Sequence, residues 1–196
     1  PCGDLASILA NALVDGEPME QLDQISYFII TATAGHDTTS ATISGGMKAL
    51  LEHPDQLAKL RKHPELAKQA AKEMIRWVSP VRHMMRTSTE DIVLRGKTIK
   101  AGDSLCLWYP SANRDSDAIE DPDTFDIERD NQNQLAFGFG GHMCLGQHLA
   151  ILEVELFFKE LLPRLSHIEF AADPEWVQAI FVGGLKSMPV HYAFNS

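Results

Sequence analysis

The sequence predicts an α+β fold that is mainly helical, because helical and strand patterns occupy separate parts of the chain. Up to Val78, apolar residues recur at helical spacing. After Pro80, short runs of β-branched and apolar residues alternate with glycine turns. A second long helical pattern follows Cys144. Helices in one part of a chain and a small amount of strand in another are typical of the α+β class.

Four helices are predicted before Pro80. The turn Asp15–Gly16 closes the first, and Pro54 ends the second, which is much the longest. Glycine and proline are strong boundaries because neither continues a helix without a cost in free energy. The predicted spans are residues 7–14, about 22–52, 56–62 and 64–78.

Short strands are predicted after Pro80, at residues 92–94, 98–99 and 104–109, with turns at Gly96 and Gly102. Residues 110–135 are polar and rich in turn-forming residues, so we expect them to run over the surface. Two or three further short strands are expected within residues 168–194.

The last long helix is predicted to open at Cys144 and to stop at Pro163. One apolar stripe follows the helical period and predicts the buried face. Its members are Leu145, Leu149, Leu152, Leu156 and Phe157.

Composition excludes several classes of function. The 196 residues carry 27 acidic and 17 basic side chains, a net charge of −10, which disfavours binding to nucleic acid. No apolar stretch approaches the roughly 18 residues of a membrane span, and the chain does not start with a signal peptide. We therefore expect a soluble, cytoplasmic protein. Three scattered cysteines are too few for a disulfide framework or a four-ligand zinc site.

The stretch FGFGGHMCLGQHLA, residues 137–150, places glycines around a single thiol. A buried structural cysteine is one interpretation. A catalytic nucleophile would need a base and an oxyanion hole, and a dinucleotide loop would need a glycine where Met143 stands. A thiolate beside a flat glycine backbone fits a planar macrocycle with one axial ligand, which is haem. The glycines concerned are Gly138, Gly140 and Gly146.

Four motifs together resemble those of the cytochrome P-450 family. The haem-loop pattern matches at Phe137, Gly140, His142, Cys144 and Gly146. The other three are EMIR (73–76), similar to the family's Glu-x-x-Arg, PDTFDIER (122–129), similar to the loop whose arginine joins that pair, and AGHDTTS (34–40), similar to the oxygen-binding centre of its long helix. The sequence is identified as a member of this family on all four motifs in the family's order.

The resemblance implies a role for each matching residue. Cys144 would be the axial ligand of haem b, iron protoporphyrin IX, and Asp37 and Thr38 would be the acid and alcohol of a proton-delivery pair. The helix would open locally at residues 34–38 to make room for dioxygen. A buried network under the haem loop would consist of Glu73, Arg76 and Arg129. Further haem contacts would come from Arg86, Phe137, Gly138, His142, Gly146 and Ala34.

The implied substrate contacts are mostly apolar, as a terpene-like or hydrocarbon substrate would need. Because apolar side chains at such positions are common in cores, plain packing is the alternative. The residues are Ile30, Thr33, Ala34, Val81, His83, Met84, Phe181 and Val182.

The implied activity is that of a monooxygenase inserting one oxygen atom of O2 into a C–H bond of a small apolar substrate. Electrons would come from a two-iron ferredoxin, served by an NAD(P)H-dependent ferredoxin reductase. Alternatives are a fatty-acid, alkane or steroid side-chain hydroxylase, a peroxide-driven variant, a haem-thiolate sensor or electron-transfer protein, and an inactive fragment. The stretches YPSANRD, GGHMCLGQHLA, FFKELLP and FVGG look most like soluble bacterial, terpineol-oxidising members.

Family members are about twice this long, so the resemblance implies a partial domain over residues 1–196. It would run from the helix before the long oxygen-binding helix to the C-terminus, with small β-sheets and without the family's N-terminal half.

Overall fold

The structure is a computed structural model that describes residues 2–130 and 132–195. The chain divides into two compact units, Pro1–Asp37 and Thr38–Ser196. Within the described residues, no helix is both long and apolar enough to cross a bilayer. The predicted α+β class, mainly helix with small sheets, is confirmed.

The first unit begins with helix α1, Leu5–Ala10, which is capped by the Asp4 carboxylate. Ser7 N–H donates to Asp4 Oδ1 over 2.7 Å, and this hydrogen bond lowers the pKa of Asp4. A hairpin of β1, Leu13–Val14, and β2, Glu17–Pro18, follows. The predicted helix over residues 7–14 is therefore wrong at its end, because Leu13 and Val14 pair across the Asp15–Gly16 turn.

Helix α2, Gln21–Glu52, agrees with the predicted long helix and continues from the first unit into the second. In the second unit it is followed by α3, Pro54–Lys62, a 3₁₀ turn at Pro64–Leu66, and α4, Ala67–Val78. A Cβ atom on Gly46 of α2 would lie 2.7 Å from Met74 Sδ of α4. The two helices therefore pack backbone against side chain at this glycine.

In the part of the chain that the structure describes, every sheet is two-stranded and antiparallel. The predicted strands near residues 92–109 are β4, Ile92–Leu94, β5, Lys97–Ile99, and β6, Ser104–Trp108. Strand β3, His83–Thr87, was not predicted; it pairs with β6 from His83↔Trp108 to Thr87↔Ser104. Helix α5, Tyr109–Ala112, continues directly from β6. The tail forms β7, Leu165–Phe170, β8, Glu175–Trp176, β9, Leu185–Ser187, and β10, Val190–Phe194.

The segment 110–135 does not simply run over the surface as expected. Phe125 and Ile127 are fully buried in the helical core, and Ile119 is also buried. Phe125 packs its ring against Trp77 at a centroid distance of 5.4 Å. The turn-rich composition describes the backbone of this segment correctly, but the side chains of Phe125 and Ile127 anchor it to the helical core.

Helix α6, Gln147–Leu161, buries a different face from the predicted one. Val154 and Phe158 belong to the core, whereas all five residues of the predicted stripe are exposed. The helix carries apolar residues on two faces, so periodicity alone could not tell which face meets the described core.

Candidate functional site

The loop around Cys144 is closed by backbone hydrogen bonds. Cys144 N–H donates to the Phe137 carbonyl over 2.8 Å, and Met143 N–H donates to the Gly140 carbonyl over 3.1 Å. Residues Gly140–His142 form a single 3₁₀ turn between these two bonds. The result is a compact turn of backbone that ends at the cysteine.

Two glycines of this loop have backbone angles that disfavour a side chain. Gly138 has φ +74° and Gly140 has φ +65°. A Cβ atom on Gly138 would also lie 3.1 Å from the His142 carbonyl oxygen. The predicted need for glycine in the loop therefore has a definite cause at these two positions.

Cys144 is a free, exposed cysteine. It does not open the last helix as predicted, since α6 starts at Gln147 with Gly146 as its cap. The Gln147 N–H reaches the Cys144 carbonyl only at 3.4 Å. The thiol therefore lies in a loop just ahead of the helix, where the backbone N–H of Cys144 is bonded to the Phe137 carbonyl.

The predicted haem contacts lie on three elements. Phe137 is half-buried, Gly138 is buried and His142 and Gly146 are exposed in the Cys144 loop. Arg86 is half-buried in β3, where its Nη1 donates to the Met85 carbonyl over 2.8 Å. Ala34 lies on α2 in the first unit.

The residues present fit haem. No group of three or more His, Cys, Asp or Glu side chains that could hold a metal ion occurs among residues 2–130 and 132–195. The exposed thiol beside a backbone without side chains at Gly138 and Gly140 suits a planar group, and the cationic Arg86 suits its carboxylates.

The second unit contains a fully buried ion network. Glu73 and Arg76 both have 0% exposed side chains, and Arg76 donates through Nε and Nη2 to the two Glu73 oxygens, each over 2.7 Å. Arg129 Nε lies 3.4 Å from Glu73 Oε1. The structure thus brings together the three residues that the motifs placed in one network.

Backbone carbonyls complete the network, and sequence reasoning missed them. Arg76 Nη1 donates to the carbonyls of Asn113 and Pro122, each over 2.8 Å. Arg129 donates to the carbonyls of Glu120, Asp121 and Thr124. The arginines therefore hold the turns of residues 113–124, and no residue-type pattern reveals a carbonyl acceptor.

Arg114 is a further cation beside the network that sequence reasoning did not single out. Its guanidinium carbon lies 4.2 Å from the centroid of the Trp77 ring, and its Nε lies 3.5 Å from Asp123 Oδ1. Burial lowers the pKa of the Arg114 guanidinium, and the positive charge of Arg76 acts in the same direction. Arg114 lies in the stretch YPSANRD, which the sequence analysis used only as a resemblance to other family members and to which it gave no role.

The predicted substrate residues of the second unit lie together on two paired segments. Val81 and Val182 form an isolated antiparallel bridge. The His83 ring stacks on Trp108 and meets Phe181 edge-on, with centroid distances of 5.7 Å in both cases. Met84 follows on β3 and is exposed. The remaining three, Ile30, Thr33 and Ala34, are exposed residues of α2 in the first unit.

Asp37 and Thr38 are consecutive residues of α2. Asp37 Oδ1 lies 2.8 Å from His36 Nδ1 in the first unit. The Thr38 carbonyl accepts the Thr42 hydroxyl over 2.8 Å in the second. The structure assigns uninterrupted helix through residues 34–38, so the implied local opening is not present as a break in α2. Threonine hydroxyls bond to carbonyls one turn earlier without ending the helix, as Thr33 does to Ile29.

Comparison with known proteins gives one consistent family. The family model described as Cytochrome P450 matches residues 4–176. Cytochrome P450-terp of Pseudomonas sp is 45% identical over 192 residues, which is 98% of this chain and 45% of that protein. Linalool 8-monooxygenase of Pseudomonas putida is 38% identical over 190 residues, 97% of this chain and 47% of that protein.

A comparison with solved structures leads to the same family. The crystal structure of CYP108D1 from Novosphingobium aromaticivorans superposes with a TM-score of 0.95 at 45% identity, over 100% of this chain and 47% of that chain. The chain thus spans about half the length of the relatives it matches.

Proposed function

Because the chain belongs to the cytochrome P450 family, we propose that residues 1–196 are part of a haem-thiolate monooxygenase domain. Its reaction inserts one oxygen atom of dioxygen into a C–H bond. The observation that carries the proposal is the exposed Cys144 thiol at the end of a glycine-containing loop closed on Phe137. Bound to a thiolate, haem b supplies reductive activation of dioxygen.

The residues of the second unit hold the cofactor in this proposal. Cys144 gives its thiolate to the iron, while Arg86 and His142 donate to the propionate carboxylates. Glu73, Arg76 and Arg129 act indirectly. Glu73 pairs with both arginines, and the arginines donate to carbonyls of the turns that precede the loop. Removing Glu73 or Arg76 breaks the fully buried ion pair between them, which is costly.

Asp37 and Thr38 are the proton-delivery pair in this proposal. The Thr38 hydroxyl holds a water molecule by hydrogen bonding, and the Asp37 carboxyl passes protons to it from solvent. Asp37 is suited to this because its side chain is exposed, 75% in relative terms. The pair argues against a haem-thiolate sensor or electron-transfer protein, which needs no proton delivery.

The substrate proposed is small, apolar and terpene-like. The support is the cluster of Val81, Val182, Phe181 and the Trp108-stacked His83, which offers apolar surface and few polar groups. One relative is named for linalool, a terpene alcohol.

Electrons are proposed to come from a two-iron ferredoxin with its NAD(P)H-dependent reductase. The segment from Cys144 to Leu145 is exposed, as is His148, so a protein partner can approach the thiolate side.

The deciding experiment is a carbon monoxide difference spectrum of the reduced, haem-loaded protein. A thiolate-type band is expected, and its absence would show that the Cys144 thiolate is not the ligand of the haem iron. Incubation with isotopically labelled dioxygen then separates a monooxygenase from a sensor, because only the former places the label in an organic product.

A further inference from the structure

Two buried residues with no role in the proposed chemistry connect the ion network to the Cys144 loop. Asn113 is 0% exposed and Ser79 is 2% exposed. Asn113 Nδ2 donates to Ser79 Oγ over 2.8 Å, while Leu135 N–H donates to Asn113 Oδ1 over 2.7 Å. The asparagine therefore uses both ends of its amide to join the end of α4 to the chain just before Phe137.

On one side this connection continues into the ion network. Ser79 Oγ donates to the Arg76 carbonyl over 2.8 Å. Arg76 Nη1 in turn donates to the Asn113 carbonyl over 2.8 Å. Ser79 and Asn113 are thus held from two directions by the arginine that Glu73 neutralises.

At Leu135 the hydrogen-bonded connection through Asn113 continues into the Cys144 loop. The Leu135 carbonyl accepts the Gly138 N–H over 2.9 Å. The Phe137 carbonyl, between these two residues, accepts the Cys144 N–H over 2.8 Å. Leu135 is therefore bonded to the first residues of the loop, and Cys144 is hydrogen-bonded to Phe137 within the same stretch.

Ser79 has a backbone conformation that is costly for serine. It is the C-cap of α4 with φ 45° and ψ 64°, in the left-handed region that glycine usually occupies at helix ends. Glycine would relieve that strain but would lack the hydroxyl that bonds both Arg76 and Asn113. A helix cap at this position does not need a hydroxyl, so the Ser79 hydroxyl has another role.

We infer that Ser79 and Asn113 are positioning residues that fix Leu135, and through it the Phe137–Cys144 hydrogen bond, so that the Cys144 sulfur is held in one place. Any effect of these residues on haem binding rests on the proposed function. Their effect on the position of the loop does not.

The informative variant is Ser79→Gly, because only the positioning role predicts faster amide hydrogen exchange in the Cys144 loop. As a cap alone, glycine should be neutral or stabilising. As a positioning residue, Ser79→Gly should keep the thermal midpoint, yet accelerate amide hydrogen exchange at Leu135 and Cys144 about tenfold or more in the haem-free protein. In the haem-loaded protein, the thiolate fraction of the carbon monoxide complex should fall.

Asn113→Leu should have the same effect on exchange, because leucine can neither accept the Leu135 N–H nor donate to Ser79 Oγ. The matched control is Gln56→Met. Gln56 Oε1 accepts the Ile127 N–H over 3.1 Å, so its loss should affect exchange at Ile127 and leave the Cys144 loop unchanged.

Unchanged exchange at Leu135 and Cys144 in both Ser79→Gly and Asn113→Leu would overturn the inference. So would an equal acceleration in Gln56→Met. A wild-type protein without the thiolate spectrum would reject the proposed function instead, and the exchange data would still decide the positioning role.

Discussion

At Cys144 a single sulfur atom carries the proposed chemistry, and the chain contains two other cysteines as internal controls. All three are free and exposed, so exposure does not distinguish them. Only Cys144 lies in a loop with left-handed glycines. Cys144→Ser should abolish the thiolate spectrum of the haem-loaded protein, because a hydroxyl is a much weaker iron ligand than a thiolate.

Cys2→Ser and Cys106→Ser should leave that spectrum unchanged. Cys106 lies within strand β6, where it is paired with Met85 of β3. Loss of the signal in Cys106→Ser alone would show that the ligand has been assigned to the wrong residue.

Thr38 carries the sharpest prediction about mechanism. Thr38→Ala should retain haem, substrate binding and NAD(P)H consumption, but should divert most electrons to hydrogen peroxide. A positioned proton-transfer group is typically worth about 10²–10⁴-fold in rate. Product and peroxide formed per NAD(P)H are measured in one assay with the redox partners present.

Asp37→Asn is the matched comparison, since it removes the carboxyl and leaves the hydroxyl. It should slow turnover with a smaller change in peroxide yield. If Thr38→Ala stays tightly coupled to product, Thr38 is an ordinary helix residue and the proton-delivery role fails, even with haem binding intact.

At the scale of single elements, glycines in α2 allow a paired test of helix packing. A Cβ atom on Gly46 would lie 2.7 Å from Met74 Sδ, whereas one on Gly35 would meet nothing within 4 Å. Gly46→Ala should destabilise by about 1–3 kcal/mol through overpacking, because Met74 is fully buried. Gly35→Ala should stabilise by about 1 kcal/mol through helix propensity.

Thermal and urea unfolding of both variants provide the measurement. The same substitution in the same helix should thus change stability in opposite directions. A stabilised Gly46→Ala would mean that α2 and α4 can separate at this crossing without cost.

The network at Arg76 links α4 to the turns of residues 113–124. Arg76→Ala should give poorly soluble protein with little haem, because Glu73 would remain buried without its partner; the expected loss is about 3–5 kcal/mol. Arg76→Lys should recover only part of the stability, since an ammonium cannot replace the guanidinium's bonds to Glu73 and the carbonyls. Haem content per protein and the urea midpoint test this, and a stable, haem-replete Arg76→Ala protein would contradict it.

The accuracy of the sequence-based prediction varies among elements for physical reasons. The boundaries of α2 were predictable because proline and polar residues punctuate a long apolar pattern. Strand β3 was missed because its short run from His83 to Thr87 has no alternation, and it forms only by pairing with β6. Residues 110–135 read as surface because turn residues outnumber the few buried ones, Phe125 and Ile127 among them.

The site shows the same division. The motif resemblance predicted that Glu73, Arg76 and Arg129 would form one network, and the structure places the three side chains in contact. The role of Cys144 as the haem ligand stays a prediction. Asn113 and Ser79 were not predictable, because their importance depends on hydrogen bonds to Leu135 N–H and to the Arg76 carbonyl, which have no sequence signature.

At the scale of the whole molecule, the chain carries an exposed apolar stripe that begins at Leu145, just before α6, and continues along that helix. Leu145 is 93% exposed and Leu149 59%, while Val154 on the other face is 1% exposed. A contiguous exposed apolar face marks an interaction surface or an aggregation liability. The 196-residue chain also spans only about half the length of its relatives.

This geometry predicts that the 196-residue chain self-associates in dilute buffer. Sedimentation velocity should show a concentration-dependent increase in mass. The double variant Leu149→Lys with Leu156→Lys should shift the distribution towards monomer, because each change replaces an exposed apolar side chain by a charged one without touching the buried Val154 and Phe158. The control His148→Lys adds charge at an exposed polar position of the same helix, so it should leave association nearly unchanged. If the double variant and the control behave alike, net charge governs association and the apolar face of α6 plays no part in it.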